Sequence, residues 1–193
     1  MVREALRVLE ALGTVSQGTG SGPDAGTILV ATPAEALTRF LRLHVMLASI
    51  GTADVVRARI ALERESARLA AQHATPDDLA LMAAHVAEMG RPRLCAEQFS
   101  DHDTAFHVAI ARATGNPLVC ELTIALRTAM RPTLVGALTA STHLPDVMRR
   151  LQAEHQGVYD AIKARDSAAA ADRIEQHIER FYTPTQDRDL TRR

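Results

Sequence analysis

Apolar side chains recur at helical spacing through almost the whole chain. Val2, Ala5, Leu6, Leu9 and Leu12 share one face of a first segment, and Gly13 follows where a helix commonly ends. Thr14-Val15 and the stronger Thr27-Ile28-Leu29-Val30 read as strands, and the Gly-, Ser- and Pro-rich stretch between them reads as the long tip of a hairpin. From Thr32-Pro33 onward the helical period returns and persists. The spacing predicts seven helices, over 33–49, 52–74, 76–89, 93–114, 116–131, 143–165 and 167–182.

The breaks between these segments have chemical causes. Gly51-Thr52, Thr75-Pro76, Gly90-Arg91-Pro92 and Gly115-Asn116-Pro117 each join a stop signal to a capping side chain or to a proline suited to a first helical position. The pattern is all-α, an antiparallel bundle of about seven helices preceded by one short helix and a β-hairpin. It divides the chain into a small module over 1–31, a helical domain over 32–183, and a polar tail over 184–193 expected to be disordered.

Composition narrows the class. At 193 residues the chain can bury a substantial core, and a net charge of −1 supplies no global field for nucleic acid. Cys95 and Cys120 form no paired motif and both fall within helical patterns, which argues against a disulfide framework and for a cytoplasmic protein. No apolar run approaches a membrane span, and Arg3, Glu4 and Arg7 interrupt the segment where a signal peptide would be apolar.

Four polar residues sit where the pattern calls for apolar ones. Asp103 and His107 share a stripe with Phe99, Phe106 and Ile110. His155 falls among Val147, Leu151, Val158 and Ile162, and His177 among Ala170, Ile174 and Phe181. Burying such side chains unpartnered is costly. Two explanations suffice: a divalent metal held by one carboxylate and three imidazoles, or a buried hydrogen-bonded Asp/His network without an ion. The remaining histidines stand apart. His73 and His85 read as surface residues, His102 points about a hundred degrees from Asp103, His143 starts a helix, and His44 lies on a core stripe. Arg59 and Glu63, one turn apart, could be a surface ion pair, yet Val55, Val56 and Ile60 beside them make Arg59 a candidate inward-facing anion clamp.

Several of these segments together resemble one family, the GntR superfamily of bacterial transcription regulators in its FadR-like branch, whose effector-binding module is the FCD domain. VREALRVLEALG is similar to the end of that family's recognition helix, and GTILV to the returning strand of its wing. In the helical part the family's R-x-x-L-E falls on Arg59 to Glu63, its D-x-x-F-H on Asp103 to His107, its G-N on Gly115-Asn116, and its last two histidines on His155 and His177. Seven helices rather than six match the FadR-like arrangement.

The resemblance implies that Asp103, His107, His155 and His177 ligate a divalent metal, with zinc favoured and nickel or manganese open. It implies a small organic acid as effector, a homodimer, and Arg3 as a DNA-contacting residue, with Arg7 and the wing near phosphate. In the family two helices and the start of the recognition helix precede V-R-E-A-L-R, whereas here Met1 stands directly before it. The expectation is therefore a partial winged helix-turn-helix over 1–31, with weak or absent binding of operator DNA by this chain. Two alternatives stand beside the regulator: a metal-dependent enzyme on a helical scaffold, and a stand-alone ligand-binding or interaction domain that does not bind DNA.

Overall fold

A computed structural model describes residues 2–11, 15–18, 26–29, 33–47 and 50–182. The chain begins with α1 (Val2–Ala11), β1 (Val15–Gly18) and β2 (Gly26–Leu29). It continues through α2 (Pro33–Met46), α3 (Thr52–His73), α4 (Pro76–Met89), α5 (Ala96–Arg112), α6 (Pro117–Thr139), α7 (Leu144–Lys163) and α8 (Ser167–Tyr182). The strands pair antiparallel, with Val15 opposite Leu29 and Gly18 opposite Gly26, which gives the expected hairpin. Thr14, Val30, Ala48, Ser49 and the tail over 184–193 lie outside the described residues.

Where helix limits differ from the periodic reading, local chemistry explains the shift. α5 starts at Ala96 rather than 93 because Arg93 takes a left-handed φ of 64°, which no α-helix accommodates. The start is then fixed by a reciprocal cap: the Gln98 N–H donates to Cys95 Sγ and the Cys95 N–H to Gln98 Oε1. α6 opens on Asn116, whose Oδ1 accepts from the N–H groups of Leu118 and Val119.

The largest departure is at the other end of α6. Periodic reading stops it at Arg131 because Pro132 follows, yet the helix continues to Thr139. A proline has no N–H for the carbonyl four residues earlier. That carbonyl belongs to Thr128, and Nη2 of Arg42 on the neighbouring α2 donates to it at 3.5 Å. Tertiary packing of α2 on α6 thus supplies the donor that the sequence withholds.

Short connections fold α4 onto α5, α5 onto α6 and α7 onto α8, while α3 packs along α8 and also meets α5, α6 and α7. Small side chains suit the packing of α3 on α8, since Ala67, Ala70 and Ala71 of the one and Ala170 and Ala171 of the other are all buried. Gly157 on α7 leaves room for the Arg173 guanidinium of α8, whose Nη1 would stand 2.6 Å from a Cβ there. The main core gathers Met82, Val86, Phe99, Phe106, Ile110, Leu138, Leu151, Val158, Ile162, Ile174 and Ile178. A smaller cluster of Val55, Leu126 and Met130 forms between α3 and α6, with Leu41 of α2 against it. Close approach of α3, α5, α7 and α8 matters for function, because each carries polar residues into the same interior region.

Candidate metal centre

Asp103 and His107 are one turn apart on α5, so both leave the helix on the same side. His155 arrives from α7 and His177 from α8, and all four side chains are buried. Each offers one ligand-type atom to a common point, the four atoms lying within 4.8 Å of one another. Nε2 of His107 and Nε2 of His155 are 3.1 Å apart, and Oδ1 of Asp103 is 3.1 Å from His155 Nε2 and 3.9 Å from His107 Nε2. Phe106 closes one side, its ring edge-on to those of His107 and His155.

The atoms behind the cluster determine which nitrogen faces inward. Nδ1 of His107 is hydrogen-bonded to Oε2 of Glu63 on α3, and Nδ1 of His177 to Oε2 of Glu154 at 2.9 Å. A carboxylate at Nδ1 holds the proton there and leaves Nε2 as the lone-pair atom, which is the tautomer that metal ligation requires. Nδ1 of His155 has no partner, so that ring's polar contacts run through Nε2 into the cluster.

Electrostatics favour the same state. Burial, reinforced by the nearby Arg127 charge, lowers the His107 pKa to about 3. Burial and then the neighbouring His155 push His177 well below its ordinary value. Both imidazoles are therefore neutral in the folded protein near neutrality. The carboxylates stay ionised: burial alone would raise Glu63, but Arg59, His107 and Arg127 outweigh it and hold it well below its usual range. Arg127, together with His155 and His107, does the same for Asp103.

Two guanidiniums complete the interior. Arg59 is buried, its Nε donating to Glu63 Oε1 at 2.7 Å and its Nη1 to Tyr182 Oη at 2.9 Å. Arg127 of α6 donates through Nη2 to Asp103 Oδ2 and brings Nη1 within 3.8 Å of Glu63 Oε1. The surface ion pair considered for Arg59 and Glu63 is instead a buried one.

Glu63 as the partner of His107, and Arg127 as the partner of Asp103, were not legible in the sequence. Glu63 was visible only as half of an i,i+4 pair, and its second partner is 44 residues away. Arg127 had one sign, its place between Thr123 and Met130 on the inward stripe of α6. Glu154, near the cluster in sequence, meets His177, whereas Glu175 pairs with Arg64 on the outer surface. Arg7 is exposed, with Nη1 3.9 Å from Glu4, and the side chain of Arg3 lies outside the described residues.

Comparison with known proteins gives the geometry a context. The FCD domain family matches residues 54–180, a span that includes all four clustered residues. Over 182 residues the chain is 28% identical to the HTH-type transcriptional regulator LutR of Bacillus subtilis, covering 92% of this chain and 80% of that one. Over 110 residues it is 29% identical to the galactonate operon transcriptional repressor of Escherichia coli, covering 56% of this chain and 46% of the relative. The chain thus aligns to most of the first relative and to about half of the second. Among solved structures, Streptococcus agalactiae GntR superposes with a TM-score of 0.62 at 21% identity, covering 93% of this chain and 78% of that one.

Proposed function

Because the chain belongs to the FCD-domain family of FadR-like GntR regulators, we propose that its helical part binds one divalent metal ion and, on that ion, a small carboxylate effector that controls DNA binding. The family is one of transcriptional regulators, not enzymes, so the metalloenzyme alternative falls. One observation carries the metal: three imidazoles and a carboxylate converge on one buried point, and carboxylates behind His107 and His177 hold the tautomer a ligand needs. Asp103, His107, His155 and His177 would hold the ion. Zinc suits this N/O donor set, and nickel and manganese suit it too.

Charge balance supports the carboxylate. In the buried cluster Arg59 and Arg127 are cations, Glu63 and Asp103 are anions, and the His107 and His177 imidazoles are neutral. The charges of Arg59 and Arg127 are matched by those of Glu63 and Asp103, so a divalent cation adds two positive charges to a low-dielectric interior. An anion entering with it restores neutrality, and a hydroxy acid or dicarboxylate supplies both the charge and oxygen donors. When bound, the metal supplies a Lewis-acid position for carboxylate oxygen, and Arg59 supplies a guanidinium able to meet a distal acid group. One relative is named for a galactonate operon, and galactonate is itself a hydroxy acid.

In this reading residues 32–183 are the effector-binding domain and 1–31 contribute the end of a winged helix-turn-helix, with Arg3 and Arg7 toward DNA. Effector binding that favours one arrangement of two paired chains alters the spacing of their DNA heads, and operator affinity changes through differential binding. Thermal-shift screening of hydroxy acids and dicarboxylates, with and without chelator, tests the effector. The expected result is stabilisation by a carboxylate that disappears on chelation and weakens in Arg59→Ala, while metal content is retained. Stabilisation indifferent to chelator would place the ligand elsewhere.

A further inference from the structure

Outside the buried cluster, His85, read from the sequence as a surface residue, and His102, read as pointing away from Asp103, face each other across a helix pair. His85 on α4 and His102 on α5 are each partly buried, with Nδ1 atoms 3.5 Å apart and ring centroids 5.8 Å apart. We propose that His85 and His102 form a second, weaker transition-metal site, a solvent-accessible bidentate chelate that clips α4 to α5 and takes zinc or nickel with water in the remaining positions.

The spacing carries the argument. Two nitrogens bound at about 2.0–2.1 Å to one tetrahedral ion sit roughly 3.4 Å apart, close to the separation seen here. Oε2 of Glu88, which also pairs with Arg91, stands 3.9 Å from Nε2 of His102. A proton on Nε2 of His102 leaves its Nδ1 as the unprotonated atom directed at His85. Without an ion, His85 satisfies the contact by presenting Nδ1–H. With one, the proton moves to Nε2 of His85 and both Nδ1 lone pairs are used. Burial and then the adjacent His102 lower the pKa of His85, which keeps its ring in the neutral form.

The site is independent of the buried centre in its ligands but not in its scaffold, since His102 adjoins Asp103 on the helix that also carries His107. An ion here braces the α4–α5 contact. Two protein ligands and an otherwise aqueous coordination sphere give a dissociation constant on the order of micromolar, well above that of a buried centre with four protein ligands.

Zinc titration of the full chain against a competing chromophoric chelator reads both sites at once. The expected result is one tight equivalent followed by a second in the micromolar range. His85→Gln and His102→Gln should each weaken the second at least tenfold and leave the first intact, while His155→Ala should remove the first and keep the second. Both Gln variants change partly exposed positions, and retained tight binding reports that they fold. A titration that ends at one equivalent, or a second equivalent that survives both Gln substitutions, overturns the assignment.

Discussion

The interior of this bundle holds two kinds of burial side by side. Met82, Val86, Phe99, Leu151 and Ile162 are buried apolar side chains, and each contributes through its own area removed from water. A turn away on the same helices, Asp103, His107 and His155 lie as deep as those residues but depend on particular partners. The first region tolerates substitutions of similar volume. The second cannot lose one member without stranding another, because a buried charge deprived of its partner keeps its desolvation penalty.

Removing one residue from each region separates the two. Asp103→Ala leaves the Arg127 guanidinium buried without its main acceptor and should destabilise the fold by about 3–5 kcal/mol. Phe99→Ala should cost a similar amount, roughly 3–5 kcal/mol, by opening a cavity. The distinction lies in what accompanies the loss. The Phe99 variant should keep its metal per folded molecule, whereas the Asp103 variant should lose it. Adding Arg127→Met to Asp103→Ala should recover part of the stability and none of the metal. Urea unfolding paired with elemental analysis reads both quantities, and equal metal loading in the two single variants would erase the contrast.

Acid should act on the polar region alone. In metal-free protein, His107 and His177 are held neutral in the fold, while the unfolded chain protonates them near the ordinary value of 6.5. The unfolded state therefore binds more protons below that point. Stability is complete above about pH 6.5 and falls as pH drops toward the folded His107 pKa of about 3, by up to roughly 1.4 kcal/mol per pH unit for each imidazole. Glu63 and Asp103 add a second loss below their ordinary values of 4.5 and 3.8, where the unfolded chain accepts protons that the folded carboxylates refuse. Urea midpoints across pH 7.5 to 4 check this, and a flat profile between 7 and 5 would contradict neutral buried histidines.

The same contrast explains what the sequence could disclose. Apolar burial is written locally, so the helical period placed α3, α4 and α8 to within a residue, and it placed Asp103, His107, His155 and His177 on inward stripes. Partnership between helices is not written locally. Nothing near Glu63 names His107, and nothing near Asp103 names Arg127, because the close approach of distant helices creates those pairs. The extension of α6 past Pro132 was hidden for the same reason, since its freed carbonyl is met by Arg42 from another helix. Nothing in the sequence links His85, read as a surface residue, to His102, read only as pointing away from Asp103, because the packing of α4 on α5 creates that pair.

Metal content separates a bound ion from a hydrogen-bonded network of the same four side chains. Protein loaded with zinc and dialysed against metal-free buffer should retain close to one ion per chain, measured by elemental analysis. His155→Ala and His177→Ala should each fall toward zero and unfold at lower temperature. Protein that returns from dialysis without an ion, or variants that retain it undiminished, would show that the four converging side chains form a hydrogen-bonded network and not a metal centre.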